Sequence, residues 1–353
     1  MLNIIRKEYS TRIELVENDE VKSWLTIHNL KVFVWGKILT AGGIGGVKTK
    51  EEYRHQGYSR AVLDEALKVM LSDKQDLSLL FGIPDYYYRW GFGSCLPQNY
   101  ISIPTYQAER AVLSHLVRPF TESDYPQILS IYEQNNKYRT GAIVRDLERF
   151  HFRLGSSFWE KAEIYVLTKD AKIEGYLVLD QNKRQVNIAE IETQNPAVYY
   201  SMLAFLAKQA IDKRVSAITG NIPWDHPFTL LARDYGLSVT TNYVYNADGM
   251  GRIITQDNVL QKLALEIFKN TGLAFNEATL LFSTELGHTK IGQGLESHLI
   301  ETDQKTLLQL LFGYRSAKEC IYENKLDSKT LNTAVLEKMF PLRTAHLYGP
   351  DKF

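Results

Sequence analysis

GGIGGVKTKEEYRHQGYSRAVLDEAL, residues 42–67, is the stretch from which the chain is best read. It opens as strand, running through Gly42, Gly43, Gly45 and Gly46 to Val47. It closes as helix over 61–71, with apolar residues at Val62, Ala66, Val69 and Met70 in the period of an amphipathic face. Between the two lies a short turn, Arg54-x-x-Gly57-x-Ser59. A strand feeding a glycine-containing turn at a helix start aims backbone N–H groups outward. The helix dipole adds about half a positive charge at that end, so the turn forms a phosphate cradle from the amides of His55, Gln56, Gly57, Tyr58, Ser59 and Arg60. Gly57 allows close backbone approach, and Ser59 can cap the helix or donate a hydroxyl. The plainer reading of such a glycine is helix packing, and the turn alone does not separate the two.

Outward from this stretch, residues 12–16 and 21–27 alternate apolar and polar positions around the polar turn 17–20, the pattern of a hairpin. Residues 31–35 and 38–40 continue as strand. Downstream, 77–83 is short and almost wholly apolar, as expected of a strand covered on both faces. It runs into Pro84-Asp85 and then an aromatic cluster: Tyr86, Tyr87, Tyr88, Arg89, Trp90, Gly91 and Phe92. One reading makes this a plug closing the end of a sheet. The other makes it a phenol presented beside the phosphate cradle.

Taken together, the turn and the aromatic segment resemble the GNAT acetyltransferases, and within them the Eis-type enzymes. In that family an R/Q-x-x-G-x-G/A turn binds the coenzyme A pyrophosphate, matched here by Arg54-His55-Gln56-Gly57-Tyr58-Ser59, with Ser59 in place of the usual Gly or Ala. The family's F-Y-x-R-F/W-G-F/Y segment supplies a tyrosine as general acid, and Tyr87 falls on that position. The resemblance further implies that Val47, Lys48 and Thr49 hold the pantetheine arm through main-chain groups, with Arg60 closing the cradle. It also implies a docked C-terminus whose carboxylate reaches the site; this chain ends MFPLRTAHLYGPDKF, residues 339–353, with Phe353 last. A C-terminal strand usually delivers that carboxylate.

The fold class expected is α/β (α+β): a mixed-sheet GNAT fold repeated twice, then a sterol-carrier-like α/β domain. The boundaries expected are 1–115 for the N-terminal GNAT domain, 116–248 for a degenerate central one, and 249–353 for the last. Residues 116–134 read as a strand, a cap region and a new helix. Three strands at 164–168, 175–180 and 186–191, the last two joined by the turn 181–185, precede a helix at 197–211. The turn chemistry of NADGMG precedes a helix at 259–268. Strands at 278–283 and 297–301 and a helix at 305–312 complete the chain. Two departures from the family pattern stand out. Only about ten residues precede Arg12, so the usual opening helices are missing or shortened, and an upstream extension would restore them. In the central domain, Glu190-Ile191-Glu192 is followed by Thr-Gln-Asn-Pro without a glycine turn, so no coenzyme A binding is expected there.

Composition narrows the alternatives. The 353 residues carry 41 Lys+Arg against 41 Asp+Glu, and each expected domain lies within a single charge of neutrality. Nucleic-acid binding normally requires a phosphate-neutralising excess of cations, so it is not expected. Apolar runs fall far short of the roughly 20 residues that span a bilayer. Two cysteines, Cys95 and Cys320, suit a reducing, cytoplasmic setting and supply no disulfide framework. No metal is expected, because His28, His55, His115, His151, His226, His288, His298 and His346 form no H-x-x-x-H or H-E-x-x-H pair. NIPWDHP (221–227) reads as a rigid turn, TELGHTKIGQG (284–294) as a hairpin loop, and Cys95 as buried packing.

The chemistry implied is direct attack by a primary amine on the thioester of acetyl-CoA, the acceptor being an aminoglycoside, a polyamine or a lysine side chain. Tyr87, an ordinary phenol near pKa 10, stays protonated at neutrality and can protonate the leaving thiolate. Amides of 47–49 can face the developing oxyanion. An amine of pKa about 10.4 and a terminal carboxylate of about 3.5 differ by roughly seven units, so Phe353 acts either as base, helped by burial and by like charge from Asp351, or as an anchor for the ammonium. Family resemblance implies a homo-oligomer, commonly a hexamer. The competing reading is a non-catalytic protein on the same scaffold that binds an apolar ligand in 249–353 or serves as an interaction module.

Overall fold

A computed structural model of the chain describes residues 1–147, 161–180 and 184–353. His151 and most of the turn expected at 181–185 therefore lie outside the described residues. The chain divides into two compact units, one of Met1–Leu96, Val244–Ala345 and Phe353, the other of Pro97–Tyr243 and His346–Lys352.

In the first unit, seven strands lie in the order Leu2–Arg6, Ser10–Glu17, Glu20–Val34, Lys37–Thr49, Leu77–Gly82, Asp248–Ile253 and Gly93–Leu96. The first four form a meander. Its tight turns, Asn18-Asp19 and Trp35-Gly36, all have positive φ, matching the right-handed strand twist. Leu2–Arg6 turns directly into Ser10–Glu17 with no helix between them. The chain then crosses through the helix Tyr58–Ser72, making Leu77–Gly82 parallel to Lys37–Thr49. Val62, Leu63, Ala66, Val69 and Met70 of that helix are buried against Ile13, Leu25, Ile27, Ile44 and Leu80. At roughly 1.5–3 kcal/mol per buried aliphatic side chain, this face holds the helix to the sheet. The sheet's other face, carrying Trp24, Thr26 and His28, is only half-buried.

Residues 254–345 complete this unit. A mixed sheet, ordered Gly287–Gly292, Ala278–Thr284, Glu296–Thr302 and Leu326–Asp327, packs with the helix Gln256–Thr271. The helix Gln304–Leu311 fastens to the larger sheet: Gln309 donates to the carbonyl of Ser94 at 2.9 Å, and the amide of Ile253 donates to Gln304 at 3.0 Å. The expected loop at 284–294 contains a turn and a strand, Gly287–Gly292, paired back on Ala278–Thr284.

The second unit repeats the plan. Its sheet is ordered Leu116–Pro119, Glu163–Lys169, Lys172–Leu179, Val186–Thr193, Ala217–Gly220, Gln98–Pro104 and Ser238–Asn242, again with one parallel pair, Val186–Thr193 with Ala217–Gly220. Sheet membership and the sequence boundaries are distinct. Gln98–Pro104 lies within 1–115 yet belongs to this second sheet, while Asp248–Ile253 pairs in the first. NIPWDHP turns and starts a short helix, Pro227–Ala232, with His226 accepting from the amide of Phe228 at 3.2 Å as its cap.

Candidate active site

In the first unit Lys37–Thr49 and Leu77–Gly82 pair only from Ala41–Leu77 to Ile44–Leu80, and then part. The divergence begins at a β-bulge. Thr26 faces Gly45 and Trp24 faces Lys48, so the glycine-bearing strand has one residue in excess, and Gly46 takes φ +59°. Beyond Ile44, the edge of 45–49 turned toward Leu77–Gly82 has no strand partner among the described residues. The backbone groups of Val47, Lys48 and Thr49 alternate in direction: the Lys48 carbonyl accepts from Ser23 Oγ at 3.1 Å on the side of Glu20–Val34, which leaves those of Val47 and Thr49 along the wedge. Their side chains are occupied elsewhere: Val47 in the core, Lys48 at 5.6 Å from the Trp24 ring, and Thr49 with Ser23 at 2.8 Å.

The wedge leads to the turn. Gly57 caps the helix with φ +81°, a conformation costly for any residue with a Cβ. From His55 through Arg60, six consecutive N–H groups find no acceptor among the described residues; the next amide, Ala61, donates to Gly57 at 3.1 Å. Six orphan donors at the positive end of a fifteen-residue helix make a strong anion site. Arg54 is exposed and, among the described residues, pairs with Glu51 at 3.9 Å, while Tyr58 is a strut whose hydroxyl donates to Glu17 at 2.6 Å. Glu20 ties the base of the turn, bonding Lys22, Lys50 and, at 2.7 Å, the Tyr53 hydroxyl; these bonds hold its carboxyl at about 2.

The aromatic segment forms one turn, Tyr87–Trp90, bolted to the same helix. Tyr86 donates to Ser59 at 2.6 Å and Trp90 to Asp64 at 2.7 Å. Ser59 therefore serves the aromatic segment, rather than capping the helix as the sequence allowed. Tyr87 is 8% exposed, its ring lying over Gly82, where a Cβ would come within 2.6 Å. Burial, then neighbouring Tyr86, pushes its phenol up to about 12, so it holds its proton throughout the physiological range.

Phe353 docks against Phe81, the residue before Gly82, and so on the sheet's other face. Its ring packs 5.7 Å from Phe81 and 5.9 Å from His28. Two glycines make the seat. A Cβ on Gly43 would stand 2.7 Å from the Phe353 ring; one on Gly45 would stand 3.1 Å from its terminal carbon, 3.3 Å from its oxygen and 3.2 Å from His28 Nε2. The tail docks as coil with a short 3-10 turn, Gly349–Asp351, where a strand was expected. Asp351 does not supply the expected like charge; it is bound by Arg145 at 2.8 Å in the second unit.

The corresponding turn of the second unit is closed. Asn195 donates to the Thr193 hydroxyl at 3.0 Å and Ala197 to the Asn195 side chain at 3.1 Å. Val198 and Tyr199 donate to backbone carbonyls at 2.9 and 3.2 Å, and Pro196 has no N–H to offer. Where Val186–Thr193 runs past its last parallel pair, Glu190 receives both terminal nitrogens of the buried Arg145, at 2.8 and 2.6 Å. Glu192 receives Asn135, Asn136 and Tyr348, each at 2.7 Å.

The sequence pointed to the turn, Tyr87 and Phe353 as candidates; the structure sets His28, Phe81, Gly43 and Gly45 around the docked Phe353. The alternation of Trp24, Thr26 and His28 against buried Leu25 and Ile27 was the available signal for a second, open face. Among the described residues no cluster of three metal-ligating side chains occurs, and no helix is long and apolar enough to cross a membrane.

Comparison with known proteins agrees with this geometry. Acetyltransferase (GNAT) domain models match residues 6–95 and residues 141–253. Among solved structures, a probable N-acyltransferase from Enterococcus faecalis V583 superposes with a TM-score of 0.76 at 17% identity, covering 98% of this chain and 89% of that one. A GCN5-related N-acetyltransferase from Anabaena variabilis gives 0.74 at 16% identity, covering 98% and 90%. Eis1 from Mycobacterium abscessus gives 0.66 at 13%, covering 97% and 90%. No curated protein matches by sequence. The fold, the bulged wedge and the two matched segments lead to one conclusion: the chain carries two GNAT acetyltransferase domains, and so the framework of an acyl-CoA-dependent N-acetyltransferase.

Proposed function

We propose that the first unit transfers an acetyl group from acetyl-CoA to a primary amine, borne by a small molecule such as an aminoglycoside or polyamine, or by a lysine side chain. The observation that carries this reading is the row of six unpaired amides, His55 to Arg60, at the mouth of a wedge whose edge amides are open. The pyrophosphate fits that row, with Arg54 at its rim, and the pantetheine arm fits the edge of Val47, Lys48 and Thr49. Tyr87, buried and holding its proton, is the acid for the departing sulfur. The Phe353 carboxylate is the base or the anchor for the acceptor's ammonium. The second unit, with its turn closed upon itself, is read as scaffold, so one equivalent of acetyl-CoA binds per chain. Residues 249–353 are read as a sterol-carrier-like domain, and the whole as a cytoplasmic hexamer.

Calorimetry with acetyl-CoA tests the reading. One-to-one binding is expected, lost in Gly57→Glu, whose carboxylate would face the pyrophosphate. A thermal melt of that variant within a few degrees of the parent separates lost binding from lost folding. Two equivalents bound, or binding unaffected by Gly57→Glu, would remove the cradle. Thiol release with a panel of amines then tests turnover.

A further inference from the structure

We propose that His28 is the proton acceptor for the attacking amine, working as a pair with the Phe353 carboxylate. The inference rests on the acetyltransferase reading above and adds a residue to it.

The geometry comes first. His28 Nε2 and the Phe353 oxygen lie 3.2 and 3.3 Å from a single point, the place a Cβ on Gly45 would take. A carboxylate oxygen and an imidazole nitrogen therefore border one small space that only glycine leaves open. That space sits where the two parallel-paired strands begin to part, next to the edge assigned to the pantetheine arm. His28 is half-buried, on the face of the sheet not covered by the helix Tyr58–Ser72. Among the described residues, its neighbours in register are these. From the adjacent strand, Ser10 is its register partner and Arg12 comes one pair along; from the glycine strand, Gly43 and Gly45 bring no side chain; from the tail comes the carboxylate. Glu14 and Lys48 lie one pair further, flanking Trp24.

The chemistry then favours the imidazole over the carboxylate alone. A carboxylate near 3.5 is about seven units below an amine near 10.4, whereas an imidazole near 6.5 is about four below it. A carboxylate beside an imidazole favours the imidazolium form and fixes the ring's orientation. The step balances as follows. The acceptor's ammonium first gives up one proton to water; one N–H proton of the resulting neutral amine then passes to His28 as the nitrogen bonds to the acyl carbon. The carbon–sulfur bond breaks, and the sulfur takes the Tyr87 proton. Water then carries the imidazolium proton back to the Tyr87 phenolate, leaving amide and free thiol.

Two measurements on the full chain test this. In thiol-release assays, His28→Gln should lower kcat about 100-fold, leave acetyl-CoA binding unchanged and abolish the acidic limb of the pH profile of kcat/KM. Added imidazole should partly rescue His28→Ala. Turnover within twofold of the parent, or an unchanged acidic limb, overturns the proposal while leaving the acetyltransferase reading intact; no thiol release by the parent overturns both. Independently of turnover, the NMR titration of the His28 ring should shift to lower pKa when one glycine is appended after Phe353. A titration that does not move overturns the pairing.

Discussion

The terminal carboxylate of Phe353 lies close against Gly45: a Cβ there would stand 3.1 Å from the carboxylate carbon, tighter than ordinary contact. Gly43 plays the same part for the ring, at 2.7 Å. Gly43→Ala should therefore unseat the tail and reduce turnover at least tenfold. In a Phe353→Ala background, where the ring is gone and only the Leu30 methyl, at 2.7 Å, still crowds the position, the same change should cost less. A double-mutant cycle in thiol release checks this; additive losses would show that Gly43 acts by another route.

Tyr87→Phe keeps the ring over Gly82 and removes only the hydroxyl. Turnover should fall about 100-fold with acetyl-CoA affinity unchanged. Because the phenol is pushed up to about 12, the parent's pH profile should show no loss of rate from Tyr87 ionisation below about pH 11.

Ser59 is bonded to Tyr86, so Ser59→Ala should cost about 1 kcal/mol of stability while changing acetyl-CoA affinity less than threefold. A tenfold loss of affinity in calorimetry would instead mean that the hydroxyl contacts phosphate.

Asp124 opens a helix in the second unit, accepting from Arg118 at 2.6 and 2.7 Å and from the Thr121 amide at 2.8 Å. Arg118 first, and these Thr121 bonds, lower its carboxyl from 3.8 to about 2. A depressed carboxylate contributes stability that is complete above its unfolded value and lost as pH falls through the folded one. Asp124→Asn should thus cost about 1–2 kcal/mol at pH 7, with the deficit closing between pH 4 and 2. Thermal melts of both proteins across that range measure it.

Arg145→Met would remove the cation shared by the buried carboxylates of Glu190 and Asp351. Burial lowers the arginine's own pKa, but Asp351 and Glu190 outweigh it and raise the value well above ordinary. Burial, only partly offset by Arg145, also raises Glu190. Removing the cation should cost about 3–5 kcal/mol at pH 7 and less at lower pH, where Glu190, already raised by burial, takes up a proton. Urea midpoints at neutral and acidic pH test both sign and size.

Much of the first domain was legible because its signals are local. Gly57 demands a backbone conformation open chiefly to glycine, the helix after it carries an unbroken apolar face, and the tyrosine cluster follows an almost wholly apolar strand. Strand exchange was not legible. Gln98–Pro104 alternates buried Asn99, Ile101 and Ile103 with more exposed residues, which specifies a strand but not which sheet it joins. Asp248–Ile253 reads as turn because Asp248-Gly249 is turn chemistry; its glycines instead allow close packing against Leu96 and Leu308. His28 was hidden for a related reason. The role proposed for it depends on its contact with a residue 325 positions away in the chain, and no local pattern encodes that meeting.

The contrast between the two helix-entry turns has a use in solution. Free amides at 55–60 exchange quickly with deuterated solvent, whereas those at 195, 197, 198 and 199 are already bonded within their own turn. A ligand seated on the first turn slows exchange there and leaves the second unchanged. The duplicated domain thus gives every molecule its own reference clock, and the ratio of the two rates reads fractional occupancy without any label, tag or enzymatic assay.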